Sequence, residues 1–285
     1  MRDNEDRFAE MAAGDLPLTT NQMPAVQQDG SSLGFVSPTE IVDLPSEGKF
    51  YPVGHPLHGK SSIEIKYMTA KEEDILTNKS LIKKGVVLDR MLQSLIVDKN
   101  INLEDLLIGD KNALIVASRI SGYGPEYTLK VTCPSCENKA QHTFDLSKLE
   151  PKPSEDLNIL NVRSTEDCLF EADLSRSRVT VKFKLLTGKE EGAIAKQLIE
   201  KNKELEEKAS TSFLKTMIVS VQGNTDKAVI SQFVDNMPVL DAKLLRGIHK
   251  RLTPNINMEQ EFTCPSCGHS EQMEVPFTAE FFWPE

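Results

Sequence analysis

One tetrapeptide, Cys-Pro-Ser-Cys, occurs twice in this chain, at residues 133–136 and 264–267. Two thiolates at this spacing can hold one metal ion across a tight turn, and two such pairs complete the four-sulfur shell of a structural zinc site. The sequence therefore predicts one Zn²⁺ bound by Cys133, Cys136, Cys264 and Cys267. The 127 residues between the pairs exceed the usual loop of a zinc ribbon, so the fold has to bring the pairs together.

A redox dithiol is the main alternative for these cysteines. A thioredoxin-type C-x-x-C pair lies between a strand and a helix, whereas turn residues and strand patterns flank both pairs here. A catalytic zinc is disfavoured because four thiolates leave no open position for water or substrate. The fifth cysteine, Cys168, has no partner in the pattern and is expected to be a packing residue.

Composition favours a globular protein acting in the cytoplasm. The chain has 285 residues, 39% of them hydrophobic, and lacks both an apolar run of membrane-spanning length and an apolar signal-peptide centre at its start. A net charge of −10 argues against broad electrostatic capture of nucleic acid. No phosphate loop, nucleophile elbow or metalloprotease motif is present, so the sequence predicts a protein that is not an enzyme.

We expect an α+β fold with three parts: a flexible tail at residues 1–34, a first module at 35–150 and a second module at 151–285. The first module should contain a strand at Ile63–Met68, a capping box from Thr69 to Glu72, and helices near 87–97 and 110–121. Alternating apolar residues on both sides of the first cysteine pair predict a β-hairpin with the cysteines at its tip.

The second module repeats this order. Val181–Glu191 resembles Ile63–Glu73 at a spacing of 118, and Asp241, Leu245 and the second cysteine pair follow Asp110, Leu114 and the first pair at a spacing of 131. The difference of 13 residues fits an insertion in a charged helix at 190–208. We therefore predict an internal duplication in which the two hairpin tips share a single zinc ion.

The order of several short motifs resembles the baseplate hub proteins of T-even-type contractile-tailed phages, in particular members from phages of marine cyanobacteria. The motifs are Leu44–Pro52, Ile65–Asp74, Gly109-Asp110, Arg119–Gly124 and the Cys-Pro-x-Cys knuckle. The resemblance is clearest from Leu44 to Cys136 and continues more weakly through the second half; the tail lies outside it.

This resemblance implies a hub subunit or hub-assembly protein whose partners are other baseplate hub and tail proteins, and it does not imply an active site. It would be present in the host cytoplasm during assembly and could remain in the virion. The alternative function is a cytosolic zinc-ribbon regulator that binds nucleic acid, although neither knuckle has a flanking Lys/Arg cluster. Phe35, Phe50, Tyr51 and the aromatic run Phe281–Pro284 could anchor partners or cap the core; the sequence leaves both open.

Overall fold

The computed structural model describes residues 37–165, 167–200, 209–276 and 281–282. The predicted α+β class is confirmed: these residues form nine helices and twelve short strands in small antiparallel sheets. In this part of the chain, no helix combines the length and apolar character needed to cross a membrane. The predicted tail at 1–34 lies outside the described residues.

The first half consists of a hairpin with a long connecting loop, four helices and a second hairpin. Its elements are β1 (Thr39–Asp43), β2 (Ser62–Lys66), α1 (Ala70–Leu76), α2 (Lys79–Lys83), α3 (Val87–Leu95), α4 (Ile108–Tyr123), β3 (Glu126–Thr132) and β4 (Lys139–Asp145).

The second half contains a four-stranded sheet, further helices and a third hairpin. Its elements are β5 (Pro151–Lys152), α5 (Leu157–Leu160), β6 (Val162–Ser164), β7 (Phe170–Leu174), β8 (Val179–Phe183), α6 (Gly188–Glu200), α7 (Ala209–Met217), β9 (Ile218–Val221), α8 (Lys227–Asp235), α9 (Val239–Leu252), β10 (Asn255–Ile256), β11 (Glu259–Thr263) and β12 (Ser270–Glu274). The charged helix predicted at 190–208 is described as far as Glu200; residues 201–208 lie outside the described part.

The capping box predicted before α1 is present. The side chain of Glu72 accepts hydrogen bonds from the amide and hydroxyl of Thr69, at 3.0 and 2.5 Å. Glu190 accepts the same pair from Thr187, at 2.7 and 2.9 Å, at the start of α6. Both helices therefore have the same Thr–Glu capping interaction at their N-terminus, which satisfies hydrogen-bond donors there.

Two predicted helix boundaries differ from the structure. The helix expected at 87–97 stops at Leu95, because Ile96 forms a β-bridge with Ile65 and continues the sheet. The helix expected to end before Gly122 continues to Tyr123 and terminates at Gly124, whose φ of 83° suits glycine.

Residues from Ser37 onward form one compact unit, and the two halves share a single hydrophobic core. Phe50 from the first half packs against Phe170 from the second, with ring centroids 6.0 Å apart. Helix α4 lies so close to β10 that a Cβ atom built on Gly109 would stand 1.9 Å from the Pro254 carbonyl oxygen. This close packing between the halves fixes the relative position of the two hairpins that carry the cysteines.

Candidate metal centre

Both cysteine pairs occupy the turns of antiparallel hairpins, as predicted. The first pair connects β3 to β4, and the second connects β11 to β12. Along β3, Tyr127, Leu129 and Val131 alternate with exposed residues and face the core. This alternation determines which face of the hairpin is buried and sets the position of its turn.

The two turns have the same backbone hydrogen bonds. In the first, the Cys133 amide donates to the Asn138 carbonyl at 2.9 Å and the Cys133 carbonyl accepts from residue 137 at 2.9 Å. In the second, the Cys264 amide donates to the His269 carbonyl at 2.8 Å and its carbonyl accepts from Gly268 at 3.0 Å. The residue after each pair has a positive φ, 57° at position 137 and 72° at position 268. The two tetrapeptides therefore form two copies of one turn.

The four sulfur atoms lie together, all within 4.8 Å of one another. Cys133 Sγ lies 3.8 Å from Cys267 Sγ, and Cys136 Sγ lies 3.8 Å from Cys264 Sγ. A tetrahedral zinc with Zn–S bonds of about 2.3 Å separates its sulfurs by about 3.8 Å. The arrangement therefore fits a single four-coordinate ion shared by the two hairpins, and it brings together all four cysteines that the spacing singles out.

The sulfur cluster lies at the border between core and solvent. Cys133 and Cys264, the first residue of each pair, are buried, whereas Cys136 and Cys267 are exposed. A side-chain hydrogen bond from Asn138 Nδ2 to Ser266 Oγ, 2.6 Å long, joins the two turns beside the sulfurs. The hairpins therefore contact each other through protein groups as well as through the cysteines.

The pKa values of two thiols in the cluster are shifted in opposite directions. Amides of Cys267 and Ser266 point at the Cys264 sulfur and lower its pKa to about 6. The Asn138 amide has the same effect on Cys136, but neighbouring sulfurs and desolvation outweigh it and raise the pKa to about 12. Thiols this close share protons, and a bound cation would favour the thiolate at every position.

The histidines noted as possible ligands lie elsewhere. His269 Nε2 is 3.4 Å from a Glu271 carboxylate oxygen, outside the sulfur cluster. His58 Nδ1 lies 2.7 Å from the Tyr51 carbonyl, and the His55 ring stacks on the Tyr51 ring at 4.5 Å. Among the described residues, the four cysteines are the one group of three or more potential ligands that converge.

Two buried carboxylates were not recognised from the sequence as structural centres. Asp110 accepts hydrogen bonds from the Ser46 amide (3.0 Å), the Ser46 hydroxyl (2.6 Å) and the Tyr51 hydroxyl (2.6 Å). Burial raises its pKa, and these hydrogen bonds oppose the effect only in part. Asp110 is fully buried. Its hydrogen bonds to Ser46 and Tyr51 attach the long β1–β2 loop to the first turn of α4.

The second carboxylate, Asp241, has an equivalent arrangement in the first turn of α9. It accepts hydrogen bonds from the Ser177 amide at 2.7 Å and the Ser177 hydroxyl at 2.6 Å, and from the Arg176 amide at 3.2 Å. Burial raises its pKa, but these hydrogen bonds outweigh burial and the net pKa is lowered. The signal was available in the sequence: Ser177 follows Ser46 at the same spacing that separates Asp241 from Asp110.

The aromatic residues left open between partner contact and core packing mostly belong to the core. Tyr51, Phe281 and Phe282 are buried, and Phe50 packs against the core while remaining partly exposed. The Arg119 guanidinium donates to the Phe281 carbonyl at 2.6 Å and holds this C-terminal segment against α4. Phe35 and residues 283–284 lie outside the described part of the chain.

Comparisons with known proteins gave one result. Searches among curated proteins and among solved structures found no match. The family described as "T4 bacteriophage base plate protein" matches residues 37–283, a range that includes both cysteine pairs and both buried carboxylates. The chain therefore belongs to the T4 bacteriophage base plate protein family.

Proposed function

We propose that this protein is a structural or assembly component of the phage baseplate hub, acting through protein–protein contacts rather than catalysis. The observation that carries the proposal is the family match over residues 37–283, together with the order of hub-like motifs in the first half. Its partners would be other baseplate hub and tail proteins. It would be found in the host cytoplasm during assembly and, as a hub subunit, in the tail baseplate of the virion.

We further propose that Cys133, Cys136, Cys264 and Cys267 bind one structural Zn²⁺. Support comes from the sulfur separations of 3.8 Å and from the two matching turns. When bound, the ion supplies charge neutralisation for four thiolates and a cross-link between the β3–β4 and β11–β12 hairpins. Because the ligands come from both ends of a long segment, metal binding would favour the folded state by closing a large loop.

An internal duplication accounts for these paired features. The pair Val42–Ile63 in β1–β2 has the same place in its hairpin as Ala172–Val181 in β7–β8. The Thr–Glu capping boxes, the Ser–Asp contacts and the cysteine turns then follow in the same order in each half. We therefore regard residues 35–150 and 151–285 as two copies of a duplicated module, joined by a shared core and by the proposed metal site.

Co-assembly tests the hub proposal. The full chain would be produced together with the remaining baseplate proteins of the same phage and separated by sedimentation. The proposal predicts that it migrates with hub intermediates, and mass spectrometry of purified particles then distinguishes a resident subunit from a departing assembly factor. A chain that never sediments with a baseplate protein contradicts the proposal.

The alternative of a nucleic-acid-binding zinc ribbon makes a separate prediction. A regulator of this kind would shift labelled DNA or RNA at low salt and release it as salt rises. Glu137 and Glu271 lie beside the two cysteine turns, and the net charge of the chain is −10. The hub proposal therefore predicts no shift even at low ionic strength.

A further inference from the structure

Strand β1 has one edge along which no other strand pairs within the described residues, and this edge is called the open edge. The strand pairs on one side with β2, and these two strands form their own sheet. The Tyr67 amide donates to the Pro38 carbonyl at 2.9 Å, and the Leu44 amide donates to the Ser61 carbonyl at 2.8 Å. Hydrogen-bonded and non-bonded pairs alternate in an antiparallel ladder. The backbone amide and carbonyl of Glu40 therefore also point toward β2.

The same alternation turns the backbone groups of Thr39, Ile41 and Asp43 away from β2. Within the described residues, no backbone hydrogen bond reaches these groups from the other side. The side chains of the three residues are exposed as well, and Ile41 is 75% exposed. Unpaired strand edges with an apolar side chain are templates for strand addition.

The corresponding edge in the second half is covered. Strand β7 pairs with β8 on one side and with β6 on the other. Glu171, which has the place in β7 that Ile41 has in β1, pairs with Arg163 of β6. An additional strand therefore fits beside this kind of hairpin in the fold, and the first half lacks that strand among its described residues.

The side chain of Glu40 indicates which residues a strand paired with the open edge of β1 would carry. Its side chain lies on the opposite face of β1 from Ile41, and its Oε1 atom is buried without a hydrogen-bond partner among the described residues. A buried carboxylate oxygen without a donor is costly, and a charged donor is the most effective partner for it. A strand placed beside β1 would put one of its alternate side chains next to Glu40.

We propose that the open edge of β1 accepts an extended segment of another baseplate protein. The segment carries Lys or Arg on the face of Glu40 and an apolar side chain on the face of Ile41. A second copy of this chain fits less well, because antiparallel pairing centred on Ile41 places Val42 opposite Glu40. It also places the two Glu40 carboxylates diagonally on one face, without a donor for either. The inference rests on the proposed hub function and names the surface that this function would use.

Site-specific photo-crosslinking tests this assignment in the full chain, produced with the other baseplate proteins. The crosslinking residue is placed at position 39, whose backbone faces the open edge. The expected result is a crosslink to one segment of another baseplate protein with a Lys or Arg near the crosslinked position. A crosslink to a second copy, a crosslink to residues 1–36 of the same chain, or no crosslink overturns the assignment.

Variants separate the backbone from the side chains. Ile41→Pro removes an amide that faces the open edge and leaves the β1–β2 hydrogen bonds in place, so it should abolish the crosslink. Its matched control, Ile41→Thr, keeps that amide and should retain the crosslink. A crosslink unchanged by Ile41→Pro contradicts strand addition. Zinc content and thermal midpoint show that each variant is folded.

A carboxylate pair tests the proposed charge contact independently of any proline effect. Glu40→Gln should lower the crosslink yield about tenfold, the expected effect of losing a charged hydrogen bond. Glu64 is an exposed carboxylate opposite Ile41 on β2, so Glu64→Gln should leave the crosslink yield unchanged. Equal effects of the two substitutions overturn the charge contact.

If the chain still sediments with hub proteins but no crosslink forms, the assignment of the β1 edge fails while the proposed function stands. If it does not sediment with them, the proposed function fails.

Discussion

Ser177 donates both its amide and its hydroxyl hydrogen to the buried carboxylate of Asp241, as Ser46 does to Asp110. In each half this contact joins the chain beyond a hairpin strand to the first turn of the helix that precedes a cysteine hairpin. Each contact therefore fixes the helix that leads into one of the two cysteine hairpins, although neither carboxylate contacts a sulfur.

The shared-ion proposal predicts equal effects from equivalent cysteine substitutions. Cys133→Ser and Cys264→Ser each remove one ligand from the same shell, so both should lose zinc and lower the thermal midpoint to a similar extent. Elemental analysis and thermal unfolding measure the two quantities. Cys168→Ser is the matched control and should retain the metal. Loss of metal from only one of the two variants would show that the pairs bind separately.

Removing the Tyr51 hydroxyl should destabilise the first half. This hydroxyl donates to Asp110 and accepts from the Leu107 amide at 3.0 Å. Tyr51→Phe leaves a buried acceptor short of one donor and a buried amide unpaired, at an expected cost of about 2 kcal/mol in the free energy of unfolding. Denaturant unfolding measures this cost. Tyr67→Phe changes a partly exposed ring and should shift stability little; equal losses would contradict a role for the Asp110 network.

Two helix glycines should respond in opposite directions to the same substitution. A Cβ atom at Gly109 would meet the Pro254 carbonyl oxygen at 1.9 Å, whereas one at Gly247 would meet nothing within 4 Å. Gly109→Ala should therefore destabilise the protein by about 2 kcal/mol or more, and Gly247→Ala should stabilise α9 by about 1 kcal/mol. Denaturant unfolding of both variants decides the matter. Tolerance of Gly109→Ala would mean that α4 and β10 do not pack this closely.

His249 should make stability depend on pH in the acid range. Burial lowers the pKa of its imidazole to about 4, against a smaller opposing effect of the Lys184 carbonyl, and Nε2 has no hydrogen bond of normal geometry within the described residues. The unfolded chain, with a pKa near 6.5, binds the proton more readily. The neutral imidazole therefore makes its full contribution to the free energy of unfolding above about pH 6.5. This contribution is lost as pH falls toward 4, by about 3 kcal/mol in all.

Comparison with His249→Gln isolates this effect. Any loss of bound metal and any other proton uptake would affect both proteins over the same pH range, so the difference between their unfolding free energies reports the imidazole. That difference should change between pH 6.5 and 4 and stay constant above pH 7. A difference independent of pH would show that the imidazole titrates normally in the folded protein.

The two cysteine turns could be predicted from the sequence because the C-x-x-C spacing within each turn is local. Each turn needs only four consecutive residues, and the flanking alternation places it at a hairpin tip. The capping box at Thr69 was predictable for the same reason. The Ser46–Asp110 contact spans 64 positions, so no local pattern indicates it, and it emerges only when the two halves are compared.

Other features depend on tertiary packing that the pattern does not contain. The apolar stripe of α3 continues past Leu95, but Ile96 leaves the helix because β2 offers it a bridge at Ile65. Likewise Gly122 and Gly124 look equivalent as helix breakers, yet only Gly124 adopts a positive φ. Pairing with β2 therefore sets the end of α3, whereas the positive φ of Gly124 sets the end of α4.

Zinc stoichiometry combined with X-ray absorption decides whether both halves share one metal ion. A shared site should give one zinc per chain, surrounded by four sulfurs at about 2.3 Å. Two zinc ions per chain, a shell containing nitrogen or oxygen ligands, or a folded protein without metal and with four freely alkylated cysteines would contradict it.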